Sequence, residues 1–120
     1  VIDATLKLLS GDRDKSGNLL KEIVKWRRDN QPGGQNSGSV FTNPEGDSAG
    51  RLIEIAGLKG LRVGSARISE KHANFIQVDE AGSAEDVRKL MSSVIKKVEE
   101  IHSITLQVET VLVGFDSGSV

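Results

Sequence analysis

The chain has 120 residues, room for one domain around a single core, and 37% of them are apolar, as in a soluble globular protein rather than a disordered one. A net charge of −1 and only 3% aromatic residues speak against a surface that wraps nucleic acid or stacks bases. Cysteine is absent and His72 and His102 stand alone, so disulfides, thiolate nucleophiles and the usual metal sites are excluded, and metal ligands are expected to number none.

Val1 to Leu9 reads as a strand, with Ile2, Ala4, Leu6 and Leu8 on one face. Val1 to Ser10 does not resemble a signal peptide and holds no initiator Met, as expected of a piece of a longer chain. After a turn at Ser10-Gly11-Asp12, Asn18 to Arg28 reads as a helix with an apolar stripe of Leu19, Leu20, Ile23 and Val24, stopped by Gln31-Pro32-Gly33-Gly34. From Asn30 to Gly50 the chain turns polar and glycine-rich, with Val40, Phe41 and Ala49 its only apolar side chains. A segment of that length and composition inside a compact domain is either mobile or functional. Ser48 is placed to cap a short helix, Ala49 to Ala56, with Leu52, Ile53 and Ile55 or Ala56 inward, and Gly57 to end it. Leu61 to Ser69 reads as a short strand or paired turn and Asn74 to Val78 as a strand. Ser83 caps the clearest helix, with Glu85 and Asp86 in its positive first turn and Val87, Leu90, Met91, Val94, Val98 and Ile101 following at helical spacing. Ile104 to Val113 alternates as a strand, and Phe115 to Val120 reads as a loose tail. No apolar run is long enough to span a membrane. The order implies an α+β fold: a small mixed or antiparallel sheet with helices packed on one face.

Four places invite chemistry, and each has a plain structural reading beside it. In Gly38-Ser39-Val40-Phe41-Thr42-Asn43-Pro44, Gly38 permits close approach of a ligand, Ser39 offers a hydroxyl, and Asn43 adds a second polar arm; equally, Ser39 and Asn43 can simply bond a turn's backbone. The sequence around Ser39 is not a nucleophile elbow, so its hydroxyl fits a hydrogen-bond or proton donor better than a nucleophile. Lys71 and His72 suit a phosphate or carboxylate, or else form a solvated turn. Arg27 and Arg28 sit where cations complement a helix dipole. Glu109 lies mid-strand among apolar residues and reads as the solvent face of an edge strand.

The blocks Arg27-Arg28-Asp29-Asn30-Gln31-Pro32, Gly38 to Pro44, Ala49-Gly50-Arg51-Leu52-Ile53-Glu54, Gly57-Leu58-Lys59-Gly60, Ser69 to Ile76 and Leu106-Gln107-Val108-Glu109 together resemble the C-terminal domain of UDP-N-acetylenolpyruvoylglucosamine reductase. The likeness runs from Val1 to Gly114, so residues 1–114 are expected to form that substrate-binding domain and 115–120 a flexible tail. It implies a cytoplasmic enzyme of peptidoglycan synthesis whose FAD takes a hydride from NADPH and passes it to UDP-N-acetylglucosamine enolpyruvate. Carried over by motif, Ser39 is the proton donor and Glu109 the acid near the enolate, while Asn43, Lys71, His72 and Arg27 contact the substrate. Thr42 departs from the family's usual Lys, Thr110 from its Val, and Gln77-Val78-Asp79 from its strand ending in Asn; no catalytic position is lost. The family's flavin domains, which precede this region, have no counterpart here, since neither a G-x-G-x-x-G loop nor a dinucleotide-binding βαβ unit is present. The fragment alone is therefore expected to bind no flavin and not to turn over. The alternative is a non-enzymatic module, derived from that domain, which holds a sugar nucleotide or a protein. No nucleic-acid or membrane partner is expected, and a plant source would place the protein in the plastid.

Overall fold

A computed structural model describes all residues from Val1 to Val120. Three helices and a three-stranded sheet follow in the order α1 (Arg13–Asn30), α2 (Ala49–Ile55), β1 (Arg62–Val63), β2 (Ala66–Ile68), β3 (Ile76–Val78) and α3 (Ala84–His102). The strands lie in the order β1-β2-β3 and are antiparallel throughout, with Val63 opposite Ala66 and Ile68 opposite Ile76. The fold is α+β, as expected. α3 packs on β1 and β2, and α2 packs against α3.

The core forms where these elements meet. Leu90, Met91, Val94 and Val98 recur at spacings of one, three and four along α3 and are buried against Leu52 and Ile53 of α2 and Ala66 and Ile68 of β2. Of the two residues offered for the inner face at the end of α2, Ala56 packs against the core and Ile55 is exposed. Ile101, expected on the buried stripe of α3, is also exposed: the inner face runs on from Val98 to His102, whose Nε2 lies 3.2 Å from the Leu52 carbonyl, and Ile101 turns away from it. The segment Leu61 to Ser69 takes the paired-turn form. Its tight turn is tied to the start of α3, because the Ser65 amide and hydroxyl both donate to the Asp86 carboxylate (2.8 and 2.7 Å) and the Ser83 amide donates to Ser65 Oγ (2.8 Å).

Three expectations are corrected. Val1 to Leu9 is not a strand; it pairs with nothing, and Ile2, Leu6, Leu8 and Leu9 are exposed. A strand needs a neighbour to satisfy its amides, and alternation alone supplies none. The first helix is longer than expected at both ends. Asp12, whose carboxylate accepts from the amides of Asp14 and Lys15, caps it, and Gln31 closes it before Pro32. None of its residues is buried, so the stripe of Leu19, Leu20, Ile23 and Val24 meets no core of this chain, and α1 does not join the helices on the sheet. Finally, Ile104 to Val113 keeps its alternation, with Leu106 buried and Thr105, Gln107, Glu109, Val111 and Val113 exposed, but it forms only one antiparallel bridge, Val108 to Phe41, instead of a ladder. The terminal residues make two contacts: Val120 packs against the core, and Arg88 donates to the Ser119 carbonyl.

Stability should follow burial, not helical periodicity. Leu90→Ala is expected to cost about 2–5 kcal/mol in urea denaturation. Leu19→Ala, at a position that is 57% exposed, should stay within about 0.5 kcal/mol. Equal losses for the two would mean that α1 shares the core.

Candidate functional site

The segment Ser39 to Thr42 is held from both sides by isolated bridges, Ser39 to Phe75 and Phe41 to Val108. On one side the Val40 amide donates to the Asn74 carbonyl (3.0 Å), and Ser39 bridges Phe75. On the other the Thr42 amide donates to the Gln107 carbonyl and the Glu109 amide to the Val40 carbonyl, each at 2.9 Å. Val40 and Phe41 are buried and anchor the segment, while Ser39 remains exposed. Gly38, with φ of +84°, lets the chain enter this segment through a turn that side chains resist.

Ser39 borders a cavity of about 350 Å³. Asn43, Lys71 and His72 line it too, so two separate stretches of sequence bring four of the expected site residues together. Ser48, Gly50, Arg51 and Glu54 from α2 and its cap, Lys59 from the following turn, and Ala73 and Asn74 complete the wall. The other two expected residues are not brought there. Arg27 stands exposed on α1, outside the cavity. The Glu109 side chain is exposed and also lies outside it, although the backbone of Glu109 is bonded to the residue after Ser39.

The wall is strongly polar. Ala73 is the only apolar residue in it. Arg51 is paired with Asp47, the first carboxylate before α2, and this hydrogen-bonded pair, with help from the Ser48 amide, holds the Asp47 carboxyl down at about 2. Lys59 pairs with Glu54 at 2.8 Å. Lys71 Nζ donates to the carbonyl of Arg28 at the end of α1 (2.6 Å), where the helix dipole favours a cation. Asn43 Oδ1 accepts from the Ala49 amide (3.0 Å), which leaves its NH₂ group as the donor for a ligand.

His72 is packed edge-on to Phe75, with ring centroids 4.9 Å apart, and against Gly50, where an added Cβ would lie 3.2 Å from the imidazole Cε1. The Asn74 amide donates to His72 Nδ1 (3.1 Å), so the neutral ring carries its proton on Nε2. Burial, reinforced by the charge of Lys59, lowers its pKa below the ordinary 6.5.

Sequence reading passed over Asn74, Lys59 and Arg51. All three lie within the motif blocks that carry the family resemblance, and for Lys59 and Arg51 a cation near a polar, glycine-rich loop is the available signal. Nothing local marks Asn74, because its side chain works on Phe41, 33 residues away.

The chain is similar to known proteins. A family model described as the C-terminal domain of UDP-N-acetylenolpyruvoylglucosamine reductase matches residues 30–113. Curated relatives include the UDP-N-acetylenolpyruvoylglucosamine reductases of Coxiella burnetii (strain CbuK_Q154), 49% identical over 87% of this chain and 33% of its own length, and of Alkalilimnicola ehrlichii, 44% identical over 94% of this chain and 38% of its own. Among solved structures, the crystal structure of UDP-N-acetylenolpyruvylglucosamine reductase from Thermus caldophilus superposes with a TM-score of 0.69 at 38% identity, covering 86% of this chain and 36% of that one. The chain thus spans about a third of the length of the curated relatives it matches.

The environment of His72 sets its titration. Its midpoint, followed by NMR, is expected below 6.5, and Lys59→Ala should raise it by removing a repelling charge. Because the folded-state value lies below the unfolded one, the contribution of His72 to stability is present above pH 6.5 and is lost as pH falls through its folded-state midpoint. A midpoint unmoved by Lys59→Ala would show that the two groups do not share the cavity.

Proposed function

Because the chain belongs to the family of C-terminal domains of UDP-N-acetylenolpyruvoylglucosamine reductase, we propose that it is the substrate-binding and proton-donating part of a longer reductase that converts UDP-N-acetylglucosamine enolpyruvate to UDP-N-acetylmuramate. The observation that carries this reading is the convergence of Ser39, Asn43, Lys71 and His72 on one polar cavity. Residues 1–114 form the domain in this reading, residues 115–120 its tail, and the remaining two thirds of the longer protein the flavin domains.

The substrate carries a diphosphate and an enolpyruvyl carboxylate. Lys59, Lys71 and Arg51 give the wall a cationic character suited to such oxyanions, and His72 Nε2–H and the Asn43 NH₂ group add neutral donors. Once hydride has reached the terminal carbon of the double bond, an enolate stands beside the carboxylate. That charge needs stabilisation, and the adjacent carbon needs a proton. Ser39, at the cavity rim on a segment fixed from both sides, is the donor of that proton. Glu109 acts from the neighbouring stretch as the acid near the enolate, and Arg27 approaches the substrate from α1.

FAD and NADPH belong to this reaction, but the residues that line the polar cavity do not fit the ring of either. An isoalloxazine or nicotinamide ring requires apolar or aromatic faces, and Ala73 is the sole apolar residue lining the cavity. Both are therefore assigned to the rest of the longer protein, and the chain's own residues are left with binding the substrate and delivering the proton.

In the longer reductase, Ser39→Ala should slow consumption of the enolpyruvyl substrate about 10²–10⁴-fold, while reduction of the enzyme by NADPH is nearly unchanged. Ser39→Cys should restore part of the rate, and Glu109→Gln should slow the same half of the reaction. Rapid mixing of each half separately is the measurement. If Ser39→Ala slowed only the reduction by NADPH, or neither half, Ser39 would not be the proton donor, and the cavity would return to a binding role alone.

A further inference from the structure

We infer that Asn74 is the positioning residue for Ser39: its side-chain amide stands in for a missing strand and fixes where the Ser39 hydroxyl sits. The inference rests on the proton-donor reading of Ser39 given above.

Only two polar side chains in the chain are buried, Ser69 and Asn74, and Asn74 is 4% exposed. Its carboxamide is used twice on one residue: Oδ1 accepts from the Phe41 amide (2.9 Å) and Nδ2 donates to the Phe41 carbonyl (2.8 Å). This is the pairing a neighbouring strand would make. Phe41 needs it, because in its bridge to Val108 the hydrogen bonds run through Val40 and Thr42, which leaves the amide and carbonyl of Phe41 pointing the other way. Left unpaired in the core, those two groups would each carry a desolvation cost. An apolar residue at position 74 would fill the space and leave them orphaned.

The consequence falls on Ser39. On its N-terminal side lies Gly38, in a conformation only glycine adopts easily, and a polar run back to α1. That run is tied to β3 by the Val78 amide on the Gln35 carbonyl (3.0 Å), and the position of Ser39 is set by its own bridge to Phe75 and, from the C-terminal side, through Val40 and Phe41. The same residue also orders the opposite wall of the cavity, because the Asn74 main-chain amide donates to His72 Nδ1. Two donors that face one ligand are thus registered to a single residue, and a proton donor displaced by about 1 Å can lose about 10²-fold in rate.

A double-mutant cycle in the longer reductase separates positioning from bulk stability. Asn74→Ala is expected to lower kcat for the enolpyruvyl substrate by about 10–100-fold with KM little changed, and to have no further effect when Ser39 is already Ala. Val98→Ala, in the core away from the cavity, serves as the control: it should destabilise the protein without changing kcat. Should Asn74→Ala fail to fold, Asn74→Asp keeps the size and one acceptor while removing the Nδ2 donor, and the same non-additivity is expected. In the 120-residue chain itself, either variant should speed hydrogen exchange of the Phe41 amide more than that of Leu90. Equal loss of kcat in the Ser39 and Ser39→Ala backgrounds, or a loss no greater than that of Val98→Ala, would overturn the inference and leave the proton-donor reading intact. A Ser39→Ala enzyme with full activity would overturn both.

Discussion

The peptide of Phe41 is the point on which the site depends. It is buried; its amide and carbonyl are paired on one side by the Asn74 side chain, and on the other side the flanking residues Val40 and Thr42 carry the hydrogen bonds to the C-terminal stretch. Through it the C-terminal stretch around Val108, the turn before β3 and the exposed Ser39 are held in one register. Five residues, Ser39 to Asn43, would otherwise be a polar loop with two apolar anchors. The cost of leaving its amides unpaired in the core is what converts that loop into a fixed edge of the cavity.

The charges around the cavity follow a second logic. Each cation has a partner in the chain: Arg51 has Asp47, Lys59 has Glu54, and Lys71 has the last turn of α1. These pairs are solvent-exposed and add little to stability. Their effect is to hold long side chains in place, which in the proposed function lessens the conformational freedom lost when an anion binds. Burial and the nearby Lys59 favour the neutral form of His72, in which Nε2–H is a hydrogen-bond donor that adds no further charge.

The match to the family begins at residue 30, and the packed part of the chain begins shortly after it. What precedes that point contributes no buried side chain. The apolar residues of α1 are periodic enough to define a helix, yet the core of this chain is complete without them. α1 touches the site only through its last turn, where the Arg28 carbonyl receives Lys71.

Signals that act over a few residues were legible in the sequence. Ser48 and Ser83 cap α2 and α3, Gln31-Pro32 ends α1, and the spacing of Leu90, Met91, Val94 and Val98 marks the face that is buried. The linked motif blocks identified the family, and with it four residues that do share a cavity. Whether an apolar stripe finds a partner was beyond its reach. Leu19 and Leu90 look alike in sequence, and only the layer under α3 distinguishes them. Alternation in Ile104 to Val113 gave the right faces and the wrong ladder, because hydrogen bonding is decided by which segment lies alongside. Asn74 is the clearest case. Its identity is visible at once, but its task is to satisfy a peptide 33 residues away, and a bond between distant residues exists only after the chain has folded to bring them together.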